Sequence, residues 1–235
     1  MKTQKLKKHE VKIGEEVVTL YDLEGSRTLD FVIPEAIYGD EYKTNSINFQ
    51  PGDTVLDIGA NVGSVSIMLA KKYPFLQIYS YEAHPINYQN LQKNIQENNI
   101  KNIKAFNYAV YSVDDHLIKI NLNSDNTGAT NSFVDTSLHP EVYLPEYSDV
   151  EVPTISLDSI IRSNSITRVK FLKVDCEGAE FEIFENSNLI KEILIENIGI
   201  EVHLFMEKYG KSRETLIKLL SDISTNQPMV KLSGL

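Results

Sequence analysis

The chain has 235 residues, 42% of them hydrophobic, with 23 Lys and Arg against 33 Asp and Glu and a formal net charge of −10. That length buries one large core and leaves too little chain for a second full domain, and the acidic balance repels a phosphate backbone, so nucleic acid is not an expected partner. No run approaches the roughly 18 to 20 apolar residues of a spanning helix. A lone Cys176 excludes an intrachain disulfide and a cysteine zinc cluster, which fits a reducing, cytoplasmic setting without membrane attachment.

In chain order, the basic stretch Lys2, Lys5, Lys7 and Lys8 has no apolar run behind it and reads as a solvated tail, not a signal peptide. Residues 1–50 form an N-terminal extension with a β-prone run, Val17-Val18-Thr19-Leu20, and a short helix after Pro34. It is placed to cover one face of a sheet or a bound cofactor. The turn Pro51-Gly52-Asp53 opens the main domain, residues 51–235. Thr54 to Ile58 is an apolar strand, and Val65, Met68 and Leu69 mark a helix over 62–72 by their spacing. Leu76 to Tyr81 is a second strand, Pro85 starts a helix that Asn98-Asn99 ends, and Ile103 to Val110 is a third strand.

From Ser112 to Val150 the alternation breaks into a long polar insertion, with a β-prone piece at Leu117 to Leu122 and a polar segment, Asn123 to Ser132. That segment offers hydrogen bonds to a hydroxyl-rich ligand or is a solvated loop. Val152 to Ile155 is a short strand, Ser156 to Ile161 is helical, and Val169 to Val174 is a strand interrupted by Lys173. Ala179 to Phe184 starts a helix, Ile193 to Phe205 is a strand, and Leu216, Leu219, Leu220 and Ile223 mark the last clear helix. Strands alternating with helices in this way give an α/β fold.

Two constellations carry chemistry. In the turn Asp57-Ile58-Gly59-Ala60-Asn61-Val62-Gly63, Gly59 allows a sharp strand exit and Gly63 allows close helix packing. A dinucleotide fingerprint would need another glycine at Asn61, and the Asp57 carboxylate repels a diphosphate but suits an ammonium or hydroxyls. Both features point away from NAD and toward S-adenosylmethionine. Glu82 closes the next strand near the roughly 20-residue interval at which an acid reaches a ribose diol. His84 beside it is placed equally well for an adenine edge and for a helix start. In the second constellation, Phe171 to Glu180, Lys173 and Asp175 share a strand face. Glu201 and His203 share a face of the strand Ile198 to Leu204. If the two strands are neighbours, Lys173, Asp175, Glu201 and His203 converge.

Val55 to Ser64, Glu82-Ala83-His84-Pro85, Val152 to Asp158 and above all Lys173-x-Asp175-x-Glu177-Gly178-x-Glu180 resemble the blocks of FkbM-type methyltransferases, which use S-adenosylmethionine to methylate hydroxyls. The resemblance implies the class I, Rossmann-like three-layer sandwich, with a mostly parallel seven-stranded sheet and one antiparallel strand near an edge. It also implies cofactor contacts at Asp57, Gly59, Asn61, Gly63 and Glu82, a reactive centre around Asp175, and a sugar, glycan or secondary-metabolite hydroxyl as acceptor. After Ile223 the sequence shows no clear final strand pair. For chemistry, Asp175 and His203 are the expected pair to orient and deprotonate the acceptor, supported by Lys173 and Glu201. A divalent metal on Asp175, Glu177 and Glu201 is a disfavoured variant. A nicotinamide oxidoreductase and a catalytically silent cofactor-binding module are the competing readings.

Overall fold

The computed structural model describes residues 5–26, 33–122 and 148–233. In chain order the elements are β1 (Leu6–Ile13), β2 (Glu16–Leu23), α1 (Ile33–Ile37), β3 (Thr54–Ile58), α2 (Ser64–Lys72), β4 (Gln77–Tyr81), α3 (Pro85–Glu97), β5 (Ile103–Phe106) and β6 (Ala109–Tyr111). They continue with β7 (Leu117–Leu122), β8 (Ser148–Ser156), α4 (Leu157–Ser163), β9 (Arg168–Val174), α5 (Glu180–Glu185), β10 (Leu194–His203), α6 (Arg213–Ile223) and β11 (Met229–Ser233). The main sheet has the order β11-β10-β9-β3-β4-β5 and is parallel at every pairing.

Side chains alternate across this sheet and feed two cores. Leu56, Tyr79 and Leu172 point to the side covered by α4, α5 and α6, where Ile160, Phe184 and Leu220 are buried. Val55, Ile78 and Phe171 point to the side of α2, with Ile67, Leu69 and the hairpin residues Val11 and Val18. Apolar residues on both faces are what a parallel sheet between helices requires, and the result is the expected three-layer α/β sandwich. Among the described residues the main sheet has six strands, not seven, and the antiparallel edge strand is replaced by β11, which runs parallel to β10. Half-buried β11, five residues long and interrupted by Lys231, lacks the unbroken apolar run that marks central strands. No described helix is long and apolar enough to cross a membrane.

Two further differences bear on the site. The run Ile103 to Val110 is split between β5 and β6 at Asn107, whose amide donates to the carbonyls of Glu82 (2.8 Å) and Ala83 (2.9 Å). After that break, β6 joins β8 and β7 in a separate three-stranded sheet. Of the lysines read as a tail, Lys7 and Lys8 are instead carried by strand β1 and Lys5 flanks it, Lys5 pairing with Glu24 and Lys8 with Glu10, while Lys2 lies outside the described residues. Exposed and less exposed positions alternate along β1, but two of the inward ones are Lys7 and His9 and only Val11 is fully buried, so the signal in the sequence is the two-residue turn through Gly14 at φ 62. The outer edge of β2 meets α3. Asn98 Oδ1 accepts from Thr19 N (2.9 Å) and its amide donates to Thr19 O (2.7 Å); Asn94 does the same for Tyr21, at 2.7 and 3.1 Å. The segment Asn123 to Ser132 lies outside the described residues.

Candidate active site

Connections leave β3 in opposite directions, toward β4 on one side and with β9 as the neighbour on the other, which opens a crevice at the carboxyl ends of β3 and β9. The cleft there holds about 710 Å³ of non-atom space, part of it open solvent, and is lined by residues that follow β3, β4 and β9. Gly59, Asn61, Glu82, Lys173 and Asp175 all face it.

Gly59 is obligatory for the shape of the crevice. It has φ 76, and a Cβ there would stand 1.8 Å from the Asp175 carbonyl oxygen. The turn continues through Asn61 in the left-handed region (φ 53), its Oδ1 accepting from Val62 N at 2.6 Å, a local bond that lets asparagine take this conformation. Gly63, at φ 92, does not line the cleft; a Cβ would meet Leu91 of α3 at 2.4 Å, so this glycine sets helix packing.

Glu82 is buried at the end of β4. Its Oε2 accepts from Asn61 N (2.7 Å) and its Oε1 from His84 N (2.9 Å). Burial pushes its pKa up to about 7, although these two N–H groups and a side-chain hydrogen bond from Asn87 favour the charged form. Three donors do not exhaust the roughly four lone-pair sites of a carboxylate, so the group can still accept from a ribose hydroxyl. That capacity fits the residues to a ribose-bearing cofactor. His84 is buried outside the cleft lining and caps α3, with Nδ1 accepting from Ile86 N (3.1 Å) and Asn87 N (3.4 Å). Burial pushes its pKa down to about 4, as suits a ring nitrogen that accepts.

Asp57 is fully buried and does not line the cleft: Ser66 Oγ donates to its Oδ2 at 2.5 Å, and Oδ1 lies 3.4 Å from Lys173 Nζ. An ammonium is thus already supplied by the protein. Lys173 Nζ also donates to Gly59 O (2.5 Å) and lies 3.9 Å from Asp175 Oδ2. Burial opposes its charge, but Asp57 and Asp175 outweigh this and its pKa is raised. The lysine therefore pins the glycine turn to the strand that carries Asp175.

β9 and β10 are neighbours, and they bring the four expected residues close: Lys173 lies 3.9 Å from Asp175, Asp175 comes within 4.8 Å of His203, and Glu201 feels the charges of both Asp175 and His203. His203 Nε2 lies 3.1 Å from Glu177 Oε2 and Nδ1 lies 3.0 Å from Glu180 Oε1. Burial lowers its pKa, but Glu180 and Glu177 more than offset that and hold it up at about 11. At neutral pH it is an imidazolium with no lone pair to offer, contrary to a role as proton acceptor. Glu201 pairs with Lys231 at 3.1 Å. Asp175, Glu177 and His203 can bring one ligand atom each within 4.8 Å of one another, so His203 takes the place that the metal variant gave to Glu201. Sequence reasoning missed Tyr42, Asn87 and Tyr108, which also line the cleft. The one signal for Tyr42 was Gly199 inside a strand, where a Cβ would stand 3.0 Å from Tyr42 Cδ1.

A parallel sheet with the order found here, with a glycine turn and an acidic strand end facing a crevice at its carboxyl edge, defines a class I S-adenosylmethionine-dependent methyltransferase. The chain belongs to the FkbM methyltransferase family: the profile described as Methyltransferase FkbM domain matches residues 57–223. It is 28% identical over 165 residues to Methyltransferase 1 of Beauveria bassiana (strain ARSEF 2860), covering 65% of this chain and 66% of that one. It is 21% identical over 187 residues to the 31-O-demethyl-FK506 methyltransferase FkbM of Streptomyces tacrolimicus, covering 69% of this chain and 70% of that one. The chain thus spans about two thirds of the length of these relatives. Among solved structures, precorrin-6y C5,15-methyltransferase from Geobacter metallireducens aligns over 67% of this chain and 56% of that one, with 16% identity and a TM-score of 0.35. Family membership implies S-adenosylmethionine as the cosubstrate and sets the nicotinamide reading aside.

Proposed function

We propose that this methyltransferase transfers the methyl group to a hydroxyl of a small molecule, a sugar, glycan or secondary metabolite, with Asp175 as the proton acceptor. The observation that carries the reading is Asp175 itself: a carboxylate with its side chain 26% exposed, at the end of β9, facing the same cleft as Glu82. Glu82 would hold the ribose, and the Gly59 to Asn61 turn would let the cofactor lie against backbone. S-adenosylmethionine supplies an electrophilic methyl on a sulfonium. The chain's residues align the acceptor oxygen in line with the carbon–sulfur bond and take its proton as the new carbon–oxygen bond forms. Because Asp175 Oδ2 already faces Lys173, Oδ1 is the atom left to receive that proton. The acceptor named in the Streptomyces tacrolimicus relative, a 31-O-demethyl compound, supports oxygen as the nucleophile.

The deciding experiment has two arms. Calorimetry with S-adenosylhomocysteine tests the cofactor site, and transfer of a labelled methyl group to a panel of hydroxylated glycans and polyketides tests the reaction. Binding with transfer to an oxygen is the expected result. Transfer only to nitrogen or carbon acceptors rejects the oxygen assignment, and binding with no transfer across the panel favours the silent module. Turnover is expected to survive exhaustive chelation, because His203 is engaged by glutamates on both ring nitrogens.

A further inference from the structure

Tyr42 lies outside the residues matched by the family profile, 57–223, yet it reaches the centre of the cleft. Its hydroxyl donates to Asp175 Oδ2 at 3.2 Å across 133 residues of sequence. The residue is flanked by Asp40 and Lys43, both in the left-handed region at φ 47 and φ 52. Asp40 Oδ1 ties the turn by accepting from Thr44 Oγ1 at 2.9 Å. The phenol ring fills the slot left by Gly199 on β10, and Lys173 Nζ stands 5.8 Å from its centroid. Next to it, Glu41 is ion-paired with Lys231 of β11, which also holds Glu201 of β10. The N-terminal segment is therefore anchored to the last two strands at the point where it delivers the phenol.

We infer that Tyr42 is a positioning residue for methyl transfer, acting through Asp175: its hydroxyl holds Oδ2 so that Oδ1 faces the transferred methyl and the acceptor oxygen. This rests on the methyltransferase reading of the cleft. Burial, and then the negative charge of Asp175, keep the phenol neutral, so it remains a donor through the working pH range. A donor and a cation on one oxygen restrict the carboxylate to a single orientation, which a freely turning aspartate lacks. Glu82 sits mid-cleft, so a ribose there directs the methyl-bearing end of the cofactor either toward β5 or toward β9. Among the described residues that line the cleft, only the β9 side carries a further carboxylate to serve the reaction.

The test needs no acceptor. Sinefungin, an S-adenosylmethionine analogue with a protonated amine where the methyl-bearing sulfonium stands, probes the carboxylate, and S-adenosylhomocysteine, which lacks that cation, probes the rest of the site. In Tyr42→Phe we expect sinefungin affinity to fall about fivefold, the scale of one ordinary net hydrogen bond, with S-adenosylhomocysteine affinity within twofold of wild type. In Asp175→Asn the sinefungin loss is at least as large, and adding Tyr42→Phe to it costs nothing more. Gly199→Ala, which pushes the ring from its slot while keeping the hydroxyl, gives the same selective loss and stands in if Tyr42→Phe does not fold. Equal weakening of both ligands, no change in either, or full additivity with Asp175→Asn overturns the inference. Failure of the wild-type protein to bind S-adenosylhomocysteine overturns the cofactor reading beneath it instead.

Discussion

The two sides of the cleft are held by different kinds of contact. On the Glu82 side the partners are close in sequence: His84 N lies two residues on, and Asn61 N belongs to the turn that begins the preceding βα unit. On the Asp175 side they are remote: Tyr42 comes from the N-terminal segment, the Gly59 carbonyl that Lys173 holds comes from β3, and His203 comes from β10. A site built from strand ends and helix caps is inherited with the fold, whereas a site built from distant segments can change as those segments change. On the proposed roles, the Glu82 side is a cofactor half held by local contacts, and the Asp175 side is a transfer half held by distant ones.

Substitutions can separate the two halves. Asp175→Ala should have the largest effect, lowering turnover about 10³-fold to 10⁴-fold while S-adenosylhomocysteine binds within about threefold of wild type, by titration; retained turnover would refute its role as proton acceptor. Gly59→Ala breaks the boundary between the halves, since its Cβ would overlap the Asp175 carbonyl. A loss of about 3 kcal/mol in denaturant unfolding is expected, along with weaker cofactor binding.

His203 tests the transfer half by pH. Its folded pKa of about 11 lies above the ordinary 6.5, so its ion pairs contribute in full below pH 6.5 and the contribution is lost as pH rises toward 11. Between pH 7 and 9 the loss is on the order of a few kcal/mol. The loss should vanish in His203→Gln; an identical pH profile in the variant would contradict the pairing. The smallest effect belongs to the cofactor half. Glu82, at about 7, must be ionised to be a full acceptor for the ribose, so S-adenosylhomocysteine affinity should rise about tenfold from pH 6 to pH 8, with proton release. Equal affinity at both values, or the same dependence in Glu82→Gln, would remove the carboxylate from the cofactor site.

What was legible in the sequence follows the same division. The glycine turn, Glu82 and the strands β3, β4 and β9 are local signals, and each stands where its pattern put it. The end of α3 at Asn98 was equally plain, with Asn99 at φ 54 beyond it. His203 stands on the expected strand with Asp175 within 4.8 Å, but its direct partners were missed, because Glu177 sits on the turn after β9, at φ 51, and Glu180 at the start of α5. No periodicity reports such a turn. Tyr42 left no local trace at all; of the hairpin, β2 was marked by Val17 to Leu20, whereas β1 and β11 were hidden because neither is an unbroken apolar run.

The contact between α3 and β2 has one more consequence. Four residues of helix rise about 6 Å and two residues of strand about 6.8 Å, so Asn94 and Asn98 can meet Tyr21 and Thr19 in step. Through its side-chain amides the helix imitates a neighbouring strand, giving β2 the donors and acceptors of a partner it does not have. That edge is thereby closed to a foreign strand, a protection against self-association achieved without charge or proline.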